Sequence, residues 1–223
     1  RNAMGWNAQT RLAASRVDAF VLIANHLRTL GFEAPEVLAH DTEAGLAILQ
    51  DFGDGMELAR QIERDPTLEV PAYTLAADML ARLHREPIPD KVTFGTEQWP
   101  ILDFDRLALA SNADLYADWL PVEAGGVALT GAARARWESE RDALIEQALS
   151  LPRVFTLRDY HAENLLWLGD DRIALLDFQD AVKGWDAWDM AMLTQDARRD
   201  VSHEASEAAI RHYLDQTGKT REA

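Results

Sequence analysis

The feature that most constrains the fold is a pair of short apolar runs in the last third of the chain. Residues 165–168 and 173–176 are separated by Gly-Asp-Asp-Arg at 169–172. This pattern predicts two antiparallel strands joined by a four-residue loop. Asn164 and Asp177 each lie five residues from an end of that loop, so we expect them to face each other. Opposed residues have Cβ atoms about 4.5–5.5 Å apart, which predicts that an amide and a carboxylate meet at the open end of the hairpin.

These two side chains suit a hard cation. Mg²⁺ prefers oxygen ligands and typically binds one or two protein groups together with waters and substrate phosphates, so Asn164 and Asp177 are candidate metal ligands. Asp159 lies five residues before Asn164, where a carboxylate can orient an attacking hydroxyl. Phosphoryl-transfer enzymes need such a set. The sequence therefore predicts an ATP- and Mg²⁺-dependent kinase, with Asp159 as the catalytic residue. The plainer alternative is that Asp159 and Asn164 only cap a turn.

Composition restricts the partners. The 223 residues carry a formal net charge of −16, which argues against nucleic acid and against an anionic membrane surface. The chain has no cysteine, so it can form neither a disulfide nor a thiolate metal site. Its apolar runs are shorter than the roughly 20 residues that span a bilayer. We expect a cytoplasmic protein that acts on a small molecule, with no nucleic-acid or membrane partner.

The rest of the chain reads as mostly helical. Apolar spacing predicts helices over residues 71–84, 103–119 and 132–149, and two more that begin near Asp186 and Ser202. Short strands are expected near residues 37–38, 46–49 and 154–157. The fold class expected is therefore α+β, with a small sheet beside the chemistry.

A longer string carries a family resemblance. The segments LRDYHAENLLWL (157–168), ALLDFQDAVKG (174–184) and WDMAML (188–193) resemble the aminoglycoside phosphotransferase and choline kinase superfamily, a branch of the protein-kinase-like fold. Within it they resemble in particular the bacterial anomeric kinases of N-acetylmuramate and N-acetylglucosamine. This resemblance implies phosphorylation of a sugar hydroxyl. An antibiotic-modifying phosphotransferase and a non-catalytic pseudokinase that serves as a binding module are the alternatives.

The resemblance also implies roles for residues outside the hairpin. Asp189 resembles an aspartate that braces the catalytic loop, and Arg158 is a second structural support. The backbone at Leu49, Gln50 and Asp51 resembles a segment that contacts adenine. Residues 1–50 would then be a remnant of the N-terminal nucleotide-binding lobe and hinge, and residues 51–223 the helical catalytic lobe.

The sequence departs from the family pattern near its beginning. Members carry an N-terminal lobe of strands with a phosphate-covering loop and a basic residue. Here no lysine precedes Lys91 and no glycine-rich loop precedes Asp51. We therefore expect an N-terminal lobe that is largely absent from this chain, with a stretch missing between about Ala14 and Ser15.

Three further side chains are candidates for contact with the acceptor. His161 lies inside the catalytic string, where it either packs the loop or contacts substrate. Asn112 and Asp118 fall on a helix that precedes this string, and are possible residues of the acceptor pocket.

Overall fold

The computed structural model describes residues 5–13, 16–169 and 171–220. The α-helices are α1 (Trp6–Thr10), α2 (Val17–Thr29), α3 (Leu58–Arg64), α4 (Glu69–Leu83), α5 (Arg106–Glu123), α6 (Gly131–Leu149), α7 (Asp186–Thr194) and α8 (His203–Thr217). The strands are β1 (Val37–Asp41), β2 (Leu46–Leu49), β3 (Lys91–Phe94), β4 (Glu97–Pro100), β5 (Val154–Thr156), β6 (Leu165–Gly169), β7 (Arg172–Leu175) and β8 (Val182–Gly184). The expected junction at Ala14 and Ser15 lies outside the described residues.

The strands form antiparallel pairs, which are β1 with β2, β3 with β4, β5 with β8, and β6 with β7. The expected strands and the five expected helices are present, with ends that shift by a few residues. The β3–β4 hairpin and α3 were not predicted, because their runs are too short to show a clear period. Among the described residues no helix is long and apolar enough to cross a membrane.

The main core is built from α2, α3, α4, α7, α8 and the strands β5, β6 and β7, and within it α4 packs along α8. Small buried residues, Ala72, Ala76 and Ala77, repeat on one face of α4, and Ala205 and Ala209 do the same on α8. Ala72 and Ala76 are four residues apart, as are Ala205 and Ala209, and this spacing keeps each pair on one side of its helix. Because alanine side chains are short, the two helix backbones can approach closely along this contact.

The β6–β7 hairpin is held between two other segments. The Trp167 N–H donates to the Met56 carbonyl (2.7 Å), and the Leu175 N–H donates to the Glu33 carbonyl (2.8 Å). Both edges of this two-stranded sheet are therefore paired, one to the chain before β1 and the other to the chain before α3. This arrangement fixes the hairpin whose open end carries the candidate site.

The predicted register of this hairpin is wrong by one residue. Gly169 pairs with Arg172 as expected, but Trp167 pairs with Ile173, and the register shifts between Trp167 and Gly169. A β-bulge places one extra residue in β6, so every pair beyond it moves by one. Asn164 therefore faces Leu176, whose N–H donates to the Asn164 carbonyl (2.9 Å). Gly169 and Arg172 also belong to the strands, so the loop is shorter than the four residues expected.

Candidate active site

The segment that carries Asp159 is held by α7. Asp189 is fully buried, and its two carboxylate oxygens accept hydrogen bonds from the N–H groups of Leu157 and Arg158, both at 2.8 Å. Trp188 adds a third bond, from its indole N–H to the Arg158 carbonyl (3.1 Å). His84 Nε2 lies 3.3 Å from Asp189 Oδ2. Each carboxylate oxygen of Asp189 thus accepts a hydrogen bond from the backbone of the segment that precedes Asp159.

Arg158 connects this segment to the beginning of the chain. Its backbone has a φ of 77°, a left-handed conformation that is costly for a residue with a side chain. Its side chain is buried, donates to the carbonyls of Thr10 (3.0 Å) and Arg11 (3.2 Å), and lies over the Phe104 ring at 4.6 Å. Burial lowers the pKa of Arg158. The side chain therefore points towards α1 and α5.

Asp159 presents a partly exposed carboxylate, 35% accessible, beside a buried histidine. His161 Nε2 lies 3.2 Å from Asp159 Oδ1, and Arg198 Nη2 lies 3.9 Å from the same oxygen. The pKa of Asp159 is lowered, chiefly by the hydrogen bond from His161; desolvation opposes this, and the charge of Arg198 adds to it. The carboxylate is therefore ionised and available as a proton acceptor at neutral pH.

His161 Nε2 lies between two polar neighbours, Asp159 Oδ1 at 3.2 Å and Asn164 Nδ2 at 3.1 Å. Nε2 can donate to Asp159 only when it carries the ring proton. Nδ1 is buried without a hydrogen-bond partner, and in that tautomer it is the unprotonated nitrogen. In the other tautomer Nε2 is unprotonated and accepts from Asn164 Nδ2, which lies 3.1 Å away. His161 Nε2 is thus within hydrogen-bonding distance of both Asp159 and Asn164.

Asn164 and Asp177 come together as expected, although not through the expected strand pairing. Asn164 Nδ2 donates to the Asp159 carbonyl (2.9 Å) and lies 3.5 Å from Asp177 Oδ2. Asp177 lies beyond the end of β7 with a φ of 54°. Because Nδ2 makes these contacts, Oδ1 is the Asn164 atom that can ligate a cation.

The donor set fits Mg²⁺. Asp177 is exposed and Asn164 half-buried, so solvent and substrate can reach their oxygens. Within the described ranges, no group of three or more His, Asp or Glu side chains is arranged to hold a metal ion. A cation bound here would complete its shell with waters and substrate phosphates, as Mg²⁺ commonly does.

A cleft adjoins this site on the side of β2. It has a volume of about 270 Å³ and is lined by residues that include Phe20, Leu49 and Gln179. Gln179 Nε2 donates to Asp177 Oδ1 (2.5 Å), so the cleft shares a wall with the candidate metal site. The Gln50 N–H is engaged with the Glu36 carbonyl (2.8 Å), and Asp51 Oδ1 accepts from the Gly53 N–H (2.8 Å).

Asn112 and Asp118 lie on α5. Asn112 lines a largely apolar cavity of about 770 Å³ between α5, α6 and α7, together with Trp185 and Trp188. Asp118 forms an ion pair with Arg134 of α6 (2.5 Å). The structure thus groups His161, Asn164 and Asp177 around Asp159 and places Asn112 and Asp118 along the α5–α6 pair.

Residues of the site that sequence reasoning missed include Arg198, Gln179 and Trp188. Arg198 lies 39 positions beyond Asp159, in an irregular segment whose path no periodicity predicts. Gln179 is two residues after Asp177, within the string that signalled the site. Trp188 directly precedes Asp189. The resemblance noted at Asp189 was therefore the sequence feature that could have drawn attention to Trp188.

Comparison with known proteins agrees with the motifs. Residues 8–223 match the phosphotransferase enzyme family. The chain is 44% identical over 218 residues to an N-acetylmuramate/N-acetylglucosamine kinase of Caulobacter vibrioides, covering 96% of this chain and 59% of that protein. It is 31% identical to the enzyme of the same name from Pseudomonas aeruginosa, covering 87% of this chain and 54% of that protein. The chain thus spans little more than half the length of these relatives.

Solved structures support the fold. A choline/ethanolamine kinase family protein from Mesorhizobium loti superposes with a TM-score of 0.60 at 20% identity, over 92% of this chain and 62% of that one. An aminoglycoside phosphotransferase from Streptomyces rimosus, in complex with ADP and streptomycin, gives a TM-score of 0.59 at 17% identity, over 93% of this chain and 77% of that one. The protein-kinase-like fold with mixed helices and strands is confirmed. The chain belongs to the phosphotransferase enzyme family.

Proposed function

We propose that the protein is an ATP-dependent kinase that phosphorylates the anomeric hydroxyl of N-acetylmuramate or N-acetylglucosamine. The observation that carries this proposal is the convergence of Asp159, Asn164 and Asp177 at one end of a hairpin. The acceptor is taken from the two relatives at 44% and 31% identity, both named for these sugars. The aminoglycoside enzymes resemble the chain only at the level of the fold, so they support an antibiotic acceptor less well.

Asp159 is the proposed catalytic base. Its carboxylate accepts the proton of the acceptor hydroxyl while the hydroxyl oxygen bonds to the γ-phosphorus. The bond between the γ-phosphorus and the oxygen that links it to the β-phosphorus breaks, and ADP leaves with that oxygen. In this proposal His161 orients the carboxylate, and its hydrogen bond lowers the pKa of Asp159. Holding the reactants in line supplies a large part of the rate in such reactions.

Asn164 and Asp177 are the proposed ligands of Mg²⁺. When bound, this ion would neutralise phosphate charge. The Gln179 amide orients Asp177 from the side of the cleft. Asp189 and Arg158 act from behind the loop: the first fixes its backbone and the second ties it to α1.

The adenine is proposed to contact the backbone of Leu49, Gln50 and Asp51 beside the 270 Å³ cleft. Because the Gln50 N–H already donates to Glu36, the contact would come from the other backbone groups of this segment.

Residues 1–50 are proposed as a remnant of the nucleotide-binding lobe and hinge, and residues 51–223 as the catalytic lobe. The absence of a lysine before Lys91 supports the view that most of the N-terminal lobe is not in these residues. Because ATP is the proposed phosphoryl donor, we propose that the protein acts in the cytoplasm.

The test is phosphorylation by the product of the complete gene. The protein is incubated with Mg-ATP and either sugar, and phosphorus NMR follows the appearance of an anomeric sugar phosphate. Asp159→Asn should lower the rate by about 10²- to 10⁴-fold, the usual contribution of a general base. Asp142→Asn, on the surface of α6, is the matched control.

The outcome separates the alternatives. A new signal that disappears only in Asp159→Asn supports the anomeric kinase. No product together with no binding of Mg-ATP would indicate a pseudokinase. Binding of Mg-ATP without a product from either sugar would contradict the acceptor and leave a kinase for another hydroxyl.

A further inference from the structure

Arg198 brings a positive charge into an acidic cluster. It lies in the segment between α7 and α8, with Nη2 3.9 Å from Asp159 Oδ1 and Nε 3.4 Å from Glu163 Oε2. Both distances exceed the roughly 2.7–2.9 Å of a well-formed charge-assisted hydrogen bond. The side chain is 43% exposed. Its donors can therefore turn to a ligand without breaking a tight ion pair.

The backbone beneath this side chain is fixed. The Arg198 N–H donates to Asp196 Oδ1 (2.9 Å), and Asp196 is buried. The next residue, Arg199, donates to the Tyr73 hydroxyl (2.7 Å) and to Glu69 Oε1 (3.2 Å), which ties the segment to α4. A fixed backbone under a reachable guanidinium is the arrangement of a preorganised binding residue.

We propose that Arg198 binds the carboxylate of an anionic acceptor and selects sugar acids over neutral sugars. The inference rests on the proposed function, because it concerns the acceptor of that same site. An acceptor hydroxyl must approach Asp159, and a carboxylate on the acceptor would be repelled by Asp159 and Glu163. A guanidinium offsets this repulsion and matches a carboxylate with two parallel N–H donors. N-acetylmuramate carries such a group, and N-acetylglucosamine does not.

The test compares the two sugars as acceptors for the product of the complete gene. Values of kcat/KM are measured for wild type, Arg198→Gln, Arg198→Lys and the surface control Arg136→Gln. Arg198→Gln should lose about 10- to 100-fold with N-acetylmuramate, as expected for a lost charge-assisted hydrogen bond. The loss with N-acetylglucosamine should be clearly smaller, because the two sugars share only the effect of the Arg198 charge on Asp159. Arg198→Lys should retain part of the preference, because it keeps the charge and loses the fork.

Three results would overturn the inference. Equal losses with both sugars would mean that the guanidinium acts on the phosphates or on Asp159. Arg198→Gln values of kcat/KM equal to wild type with both sugars would mean that the guanidinium does not contact the acceptor. A wild-type protein that phosphorylates neither sugar would remove the proposed function as well, which distinguishes that failure from the first two.

Discussion

Replacing Asp189 tests whether α7 holds the catalytic loop. The buried carboxylate accepts one backbone hydrogen bond on each oxygen, from Leu157 and Arg158, and Oδ2 also lies 3.3 Å from His84 Nε2. Asparagine keeps one acceptor oxygen and turns an N–H₂ group towards the other donor, so Asp189→Asn loses one of the two bonds. A hydrogen bond to a charged group contributes about 1.5–3 kcal/mol, and leaving both donors unpaired in Asp189→Ala should cost about twice as much.

The assay is thermal unfolding followed by circular dichroism. For a chain of 223 residues, each kcal/mol lowers Tm by about 2–4 °C. Asp189→Asn should therefore unfold about 3–12 °C below wild type, and Asp189→Ala lower still. Asp90→Asn, which removes an exposed carboxylate from a surface ion pair with Lys183, is the control and should match wild type. If Asp189→Asn and Asp90→Asn unfold at the same temperature, the two backbone bonds do not stabilise the loop and the reasoning fails.

Two further changes test the site and the sheet beside it. The pKa of Asp159 is lowered chiefly by the hydrogen bond from His161, so the carboxylate stays ionised below its ordinary range. His161→Leu removes that donor, and the midpoint of the Asp159 carboxyl carbon, followed by NMR, should move to higher pH; a midpoint that stays or falls contradicts the assignment. In Gly184→Ala the new Cβ would lie 2.7 Å from Thr156 Oγ1, and overpacking of this kind costs about 1–3 kcal/mol in urea unfolding. Adding Thr156→Ala should recover part of that loss, and a double variant no more stable than Gly184→Ala would show that the clash is not the cause.

The chemistry of the site was visible in the sequence because its residues are close along the chain. Asp159, Asn164 and Asp177 fall within 19 positions, and a hairpin between the last two brings them together whatever the rest of the fold does. The register was predicted wrongly because a β-bulge does not change the hydrophobic pattern of a continuous apolar run such as residues 165–168. Asn164 and Asp177 still meet, since Asp177 leaves the strand with a positive φ and does not continue the ladder.

Residues that reach the site from far along the chain were not predictable in the same way. Arg198 depends on how the segment after α7 returns over the loop, and that path is set by Arg199 and its partners on α4. Asn112 and Asp118 stay predictions. Both lie on a helix before the catalytic segment, where helical spacing does not tell which face turns to the site; Asn112 lines the cavity beside Trp188, and Asp118 pairs with Arg134 of α6.

The last feature that the sequence does not reveal is backbone strain. Four described residues other than glycine have a positive φ, and Arg158 and Asp177 are two of them. Each such residue costs about 1–2 kcal/mol, so the surrounding structure must impose it. For Arg158 this is α7, because Asp189 fixes its N–H and Trp188 fixes its carbonyl. The backbone that carries Asp159 is therefore held by a helix behind the loop, and variants of α7 should change the rate of the proposed reaction without any contact to substrate.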